Sequence, residues 1–589
     1  MVEPVRLVIW DLDETFWKGT LTEGGIEYLQ PHHDIVIELA RRGILSSICS
    51  KNDMEPVKSL LIEKGLWDYF IFPSVNWQPK GPRLQALVEA VQLRPPTILF
   101  IDDNPMNRNE ALHYVPDLQV SDETIIPSIL ANSLFKGKDD SRLKRLGQYK
   151  LLESRKRDQE EFGDDSAFLR ASGIRVTFEH DFVKHIDRAV ELINRTNQLN
   201  FTKNRLPEDP LAARRELEEL LSQQDVQAGL VHVRDRYGDY GYIGLYVMRS
   251  NATGLWLLHF CFSCRTLGMA VEAWVFDRLA RPRIRIRGEV LTDLFAKRAP
   301  IDWINASSEA AREVDPELPL RILVRGGCDM SCVAHYLNLN AREVAGEFNI
   351  IRSGLPIRRD HSWFLRYALE GLPGAEKQAA REIGYLPEDF TSRLAEDMSS
   401  LDACIFSFWQ DAIIGLYHHR ELDLRLPFIL PHGKGSVDVT ARDEAELREW
   451  LPTPDALAAS LKVRRNYRYF QPTPSAFREN LEAILSHVPE RVVIFFLLGA
   501  EERIGRNGQL VALRHLAAHN RTISEVVAGR ANVHLLRITE FVEGPEDMLE
   551  GLHFSRMVYY RLYRRVESLL RLHAERHFPE MASAEPAAA

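Results

Sequence analysis

The segment VIWDLDETFW, residues 8–17, constrains this chain most, because a run of strand-forming apolar residues ends in two carboxylates, Asp11 and Asp13. Residues two apart on an extended strand point the same way, so both acids would project together from the strand's end. Such a pair suits phosphoryl transfer: one Asp attacks phosphorus, the second moves a proton, and Mg²⁺ holds the anion. Taken alone, it also fits a strand end closed by a turn. Three further segments follow in order and each supplies a missing role. ILSSICSKND ends near Ser50, whose hydroxyl, with the N–H groups of the next turn, would hold a phosphoryl oxygen. NWQPKG offers Lys80 as a fixed cation, and TILFIDDNPMNRNEA is another strand whose terminal acids, Asp102 and Asp103, would complete an Mg²⁺ oxygen shell. Four strand ends converging on one edge is where a parallel α/β sheet binds ligands.

This set resembles the four motifs of the haloacid dehalogenase superfamily: DxD(x)T, Ser or Thr, Lys, and a paired acid. The resemblance implies Asp11 as phosphorylated nucleophile, Asp13 as general acid/base, Ser50 and Lys80 as phosphate clamp, and Asp11, Asp13 and Asp102 as the Mg²⁺ ligands. Thr15, Asp103 and Asn104 would support them. Thirty-six residues separate Asp13 from Ser50 and twenty-nine separate Ser50 from Lys80, and neither gap has room for a folded cap. A site without a lid excludes water poorly, so a large substrate or another part of the chain has to seal it.

The 589 residues allow roughly three or four domains. Net charge is −10 with basic residues dispersed, which gives no nucleic-acid footprint. No apolar run approaches a membrane span and MVEPVRLVIWDLDE lacks a signal-peptide pattern, so a cytoplasmic protein is expected. Six cysteines at 49, 261, 264, 328, 332 and 404 are too few for a disulfide framework. Cys261/Cys264 and Cys328/Cys332 lack the partner ligands of a zinc site, which leaves thiol chemistry as the better question.

Beyond a charged, helix-prone connector at 135–170, RVTF reads as a strand, followed by a helix carrying Ile186, Ala189, Val190 and Ile193. VHVRDRYGDYGYIGLYVM alternates around a Gly-rich turn as a β-hairpin does. LWLLHFCFSCRTLGMAVEAWVFDRLA passes from strand to amphipathic helix through Ser263–Gly268.

RTNQLN, DRYGDYGYIG and FSCRTLGMAVE resemble one branch of that superfamily, the FkbH-like proteins of polyketide and other carrier-protein pathways, over about residues 1–310. The resemblance implies a phosphatase-like domain followed by an acyltransferase-like domain of the GNAT fold. Together they would remove phosphate from D-1,3-bisphosphoglycerate and pass the glyceryl group through a cysteine thioester to the phosphopantetheine thiol of an acyl carrier protein. Cys264 matches the family's cysteine; at a strand-to-helix turn, helix N–H groups would lower its pKa. His259 is the nearest candidate base in sequence. Asn197, Gln198, Asp235, Arg236, Asp239 and Arg265 are candidates to bind glyceryl hydroxyls, phosphate or the pantetheine arm, and equally fit turn networks. Met269 stands where the family commonly carries Arg.

From about residue 319, LPLRILVRGGCDMS is again a strand running into a Gly-rich turn, and ACIFSFW and RVVIFFLL recur as buried strands. With His553 near the start of a late helix, this layout resembles an SGNH-type esterase. Departures fall on the chemistry: Gly326-Gly327-Cys328-Asp329 replaces Gly-Asp-Ser, and Glu550 stands where a late Asp-x-x-His has its Asp. A Cys328/His553/Glu550 triad is chemically reasonable for acyl transfer or hydrolysis, although SFWQDA at 407–412 is a weak stand-in for the oxyanion motif; the alternative for this domain is a docking or structural module.

The expected architecture is therefore α/β: a Rossmannoid haloacid dehalogenase domain without a large cap (1–134), the connecting helix (135–170), a GNAT-like α+β domain (171–312), an SGNH-like parallel α/β domain (319–575) and a disordered tail (576–589). The expected function is Mg²⁺-dependent glyceryl transfer with dephosphorylation. The alternatives are a phosphatase acting on a carrier-bound or saccharide phosphate, and a non-catalytic scaffold that binds carrier protein.

Overall fold

The computed structural model describes residues 3–223, 225–251, 254–307, 318–327, 329–431, 437–504, 509–549 and 553–577. The chain divides into two compact units, residues 1–174 with 234–240, and residues 175–233 with 241–589.

The first unit is built on five parallel strands: β1 (Leu7–Trp10), β2 (Leu45–Ser50), β3 (Ser74–Val75), β4 (Ile98–Ile101) and β5 (Gln119–Ser121), in the order β3-β2-β1-β4-β5. β1 pairs with β2 on one side, Leu7 opposite Leu45, and with β4 on the other, Leu7 opposite Ile98. β1, β2 and β4 are buried throughout, as expected of a sheet covered on both faces. Val8, Trp10 and Ile48 pack on one face with Val36 and Leu39; Leu7, Ile9 and Phe100 pack on the other with Leu84, Leu87 and Val91 of helix Lys80–Val91. Strand order reverses between β1 and β4, and their carboxyl ends carry Asp11 and Asp102; such a switch point is where open α/β sheets take ligands. Past Asp13 a small hairpin forms, Lys18–Thr20 against Gly25–Glu27. Gly19 sits there at φ +85°, and a Cβ would lie 2.6 Å from the Gly25 carbonyl oxygen, so a side chain does not fit. The charged connector forms two helices, Lys144–Phe162 and Asp165–Ala171, broken at Gly163 with φ +67°.

The second unit holds two larger sheets. One runs in the order Arg283–Ile284, Gly254–Phe262, Gly238–Asn251, Val226–Asp235, Ile174–Glu179, Ile304–Ser307, with Leu199–Asn200 also paired to Gly254–Phe262. Helix Ile186–Arg195 buries Ile186, Ala189, Leu192 and Ile193 against Leu245, Val247 and Cys261 of this sheet. The other is parallel throughout, in the order Ala341–Phe348, Leu318–Gly326, Ala403–Phe406, Val493–Leu498, Val533–Arg537, a doubly wound arrangement. Residues of helices Met330–Asn340 and Arg556–His577 cover one face, and Phe477, Leu481 and Ile484 of helix Pro474–His487 the other. A separate three-stranded sheet, Arg425–Pro427, Leu416–His419 and Tyr467–Phe470, has its own core with helix Ser362–Glu370; the sequence reading did not anticipate it. No described helix is long and apolar enough to cross a membrane.

Candidate active site

Two short strands and the turns after them deliver the charged groups at the edge of the first sheet. Lys80, the first residue of its helix, puts Nζ 2.6 Å from Asp11 Oδ1 and 2.6 Å from Asp102 Oδ2. The three side chains are almost wholly shut off from solvent. Asn107 Nδ2 donates to both Asp102 oxygens at 3.0 and 3.1 Å, and the Asn104 N–H donates to Oδ1 at 2.9 Å. Asp102 is thus fixed by three donors making four hydrogen bonds. Asn104 also caps the helix Pro105–Tyr114, its Oδ1 accepting from Met106 N at 2.9 Å.

Burial pushes Asp11 up to about 6, with Asp102 adding to the rise while Lys80 and the Ser50 hydroxyl pull the other way. For Lys80, burial works against the charge, yet the two carboxylates together raise its pKa above the ordinary lysine value. Burial, helped by the Asp102 charge, also raises Asp103. Thr15 ties this loop to the first, accepting from Asp103 N at 3.0 Å and donating to Asp103 Oδ1 at 3.4 Å.

Among the described residues, carboxylate oxygens of Asp11, Asp102 and Asp103 lie within 4.8 Å of one another. Three hard oxygen donors at that spacing fit Mg²⁺. Asp13 is not in the group: its Oδ1 accepts from Trp17 Nε1 at 2.7 Å and Leu21 N at 3.2 Å, and its Oδ2 from Asn52 Nδ2 at 2.9 Å. Arg83, one helical turn after Lys80, reaches back to the carbonyl oxygens of Ser50 (2.9 Å), Asn76 (2.9 Å), Gln78 (3.2 Å) and Ser74, and to Ser74 Oγ at 3.0 Å. It binds the loops that bear Ser50 and Lys80 into one piece. Arg108 does the same for the carbonyls of Asp102 and Asp103, at 2.5 and 2.8 Å. The motif reading missed Asn52, Trp17, Asn107, Arg83 and Arg108. The only sequence signal was their placement, within six residues of a motif residue.

In the second unit the Cys264 Sγ donates to Gln198 Oε1 at 2.9 Å, and the Gln198 carbonyl accepts from Leu291 N at 3.0 Å. The expected helix end behind the thiol is absent. Cys264 opens a single turn, Cys264–Thr266, Ala270 follows at φ +61°, and the helix begins only at Val271. Burial accordingly pushes the Cys264 thiol above its ordinary value rather than below it. His259 is buried in strand Gly254–Phe262, its Nδ1 without a hydrogen-bond partner, and burial takes its pKa down to about 4. Asn197 is exposed, and Arg265 N donates to Ser263 Oγ at 3.4 Å. Asp235 accepts from Tyr237 N (2.9 Å), Gly238 N (3.3 Å) and Tyr240 OH (3.0 Å), a turn network, while Arg236 pairs with Asp158 at 3.4 Å. Asp239 follows on the outgoing strand.

Of the expected C-terminal triad, Cys328 and Glu550 lie outside the described residues. Asp329 accepts from Tyr559 OH at 2.9 Å; burial raises its pKa while Tyr559 and the nearby His553 draw it down.

No family model matches the chain, and no curated protein does. Among solved structures it is similar to the N-terminal part of the protein BF1531 from Bacteroides fragilis, containing a phosphatase domain and complexed with Mg, at 25% identity and a TM-score of 0.19. That match covers 20% of this chain and 36% of the other. It is also similar to the cobalt-bound deoxy-D-mannose-octulosonate 8-phosphate phosphatase YrbI of Haemophilus influenzae, at 14% identity over 19% of this chain and 66% of that one, TM-score 0.17. A third is the 3-deoxy-D-manno-octulosonate 8-phosphate phosphatase of Moraxella catarrhalis in complex with magnesium ion, phosphate ion and KDO, at 12% identity over 28% and 95%, TM-score 0.16.

Proposed function

We propose that the first unit is an Mg²⁺-dependent phosphatase of the haloacid dehalogenase type acting on the phosphate ester of a three-carbon acid that also carries an acyl phosphate, and that the acyl group passes through Cys264 to a carrier protein. One observation carries the phosphatase reading: Lys80 stands between Asp11 and Asp102 at 2.6 Å from each, at the switch point of the sheet, with Asp103 beside them.

Asp11 attacks phosphorus with a carboxylate oxygen, and Lys80 holds Asp11 in place and offsets charge at the phosphoryl group. The Ser50 hydroxyl, which helps draw down the Asp11 pKa, orients a phosphoryl oxygen. Asp13 takes the proton of the water that later releases phosphate. Asp11, Asp102 and Asp103 would hold Mg²⁺, which when bound neutralises the phosphoryl oxygens. Cys264, set against Gln198, would attack the acyl carbon of the intact mixed anhydride; the acyl carbon–oxygen bond breaks, phosphate leaves, and the thioester formed exchanges with a phosphopantetheine thiol. The middle sheet reads as the GNAT-like domain, and the parallel sheet that starts at Leu318 as SGNH-like.

Intact-protein mass spectrometry tests this, on wild type, Asp11→Asn and Cys264→Ala incubated with Mg²⁺ and 1,3-bisphosphoglycerate generated in situ, with and without a phosphopantetheinylated carrier protein. The expected result is a glyceryl adduct on wild type that moves to carrier and is lost in Cys264→Ala. Phosphate release that depends on Asp11 with no adduct anywhere would leave a stand-alone phosphatase.

A further inference from the structure

Asp13 is gripped from two directions. Trp17 and Leu21 donate from its own loop, but Asn52 comes from the turn after β2, two residues beyond Ser50. Asn52 is fully buried, and its Oδ1 accepts from Asp53 N at 3.0 Å. That second bond fixes which end of the amide faces Asp13. A buried amide oriented this way and spent on one carboxylate oxygen does little for packing that an apolar residue would not do.

We infer that Asn52 is a positioning residue for the acid/base Asp13, required to aim that carboxylate during hydrolysis of the aspartyl phosphate. The inference rests on the phosphatase reading. In the first step an Asp11 oxygen bonds to phosphorus and the bond from phosphorus to the leaving oxygen breaks. When the leaving group is a carboxylate it departs as a stable anion, and no proton from Asp13 is needed. In the second step water oxygen bonds to phosphorus, Asp13 takes the water's proton, and the bond between phosphorus and Asp11 breaks to regenerate the free carboxylate. Loss of Asn52 therefore slows the second step and spares the first, so the phosphorylated enzyme accumulates. A residue that merely supported the fold would depress both.

Acetyl phosphate with Mg²⁺ is the probe, and the readouts are steady-state phosphate release and acid-quenched intact mass. Variants are Asn52→Leu, the near-isosteric Asn52→Asp, which has no amide donor, and Trp17→Phe, which removes another donor to Asp13 while keeping an aromatic ring in the core. In each, turnover falls roughly tenfold to a hundredfold while the fraction of protein carrying one phosphoryl group at steady state rises above that of wild type. If Asn52→Leu does not fold, the other two carry the test. Unchanged turnover, or an equal fall in phosphoenzyme formation and turnover, overturns the inference. Wild type that neither forms a phosphoenzyme nor releases phosphate would instead overturn the phosphatase reading itself, and is seen before any variant is made.

Discussion

Lys80 and Asp102 meet at 2.6 Å with their side chains 2% and 0% exposed, and the same ammonium reaches Asp11 at 2.6 Å. One buried cation thus offsets two buried carboxylates. Lys80→Met leaves both unpaired, which for a buried ion pair costs about 3–5 kcal/mol. The expected outcome is a clearly lower thermal unfolding midpoint by circular dichroism, together with loss of phosphate release.

Arg83 spends its guanidinium on five oxygens of the two loops that present Ser50 and Lys80. Arg83→Ala frees those loops without touching a reacting group. The phosphate clamp would then be misplaced by a fraction of an ångström, enough to lower kcat/KM for acetyl phosphate roughly tenfold or more, while Mg²⁺ binding through the Asp102 loop persists. Steady-state kinetics and Mg²⁺ titration calorimetry check the two halves.

A pH effect is expected in the second unit. Burial holds the Asp411 carboxyl up at about 8, against an ordinary value of 3.8, beside Ser362 N at 3.0 Å and His361 Nδ1 at 3.2 Å. The folded chain keeps a proton that the unfolded chain releases. Stability from this group is therefore fully present below pH 4 and is lost as pH rises toward 8, by up to about 1.4 kcal/mol per pH unit. Asp411→Asn removes the titration and keeps a donor toward His361. Denaturant unfolding at a series of pH values between 5 and 8 should show a shallower decline for the variant.

Burial pushes the Cys264 thiol above its ordinary value, so it is less readily ionised than a free thiol. Iodoacetamide should label Cys264 more slowly than a free small thiol at pH 7, with the rate climbing as pH is raised, as read by peptide mass spectrometry. Glyceryl loading of Cys264 should rise with pH in the same way. A fast, pH-independent label at pH 6–8 would show a thiolate that this geometry does not provide.

The parallel strands were legible because a sheet covered on both faces leaves apolar runs, and the acids that end them mark its carboxyl edge. Asp11, Ser50, Lys80 and Asp102 stand out for that reason. Asn52 and Arg83 do not, since their partners are carbonyls and carboxylates of other loops, and nothing in local spacing encodes a bond across strands. At Cys264 the turn Ser263–Gly268 was legible, but the helix after it begins only at Val271, beyond Ala270 at φ +61°, and the local sequence SCRTLGMAVE does not announce that break. The three-stranded sheet around Leu416–His419 escaped notice because its strands are only three or four residues long, too short to show alternation.

The central claim is that Asp11 is phosphorylated during turnover. Acid-quenched peptide mapping after incubation with acetyl phosphate and Mg²⁺ tests it directly. The account predicts one phosphoryl group on the peptide that contains Asp11, absent in Asp11→Asn and absent without Mg²⁺. Phosphate release at the wild-type rate from Asp11→Asn, or a phosphoryl group mapped to any other residue, would contradict it.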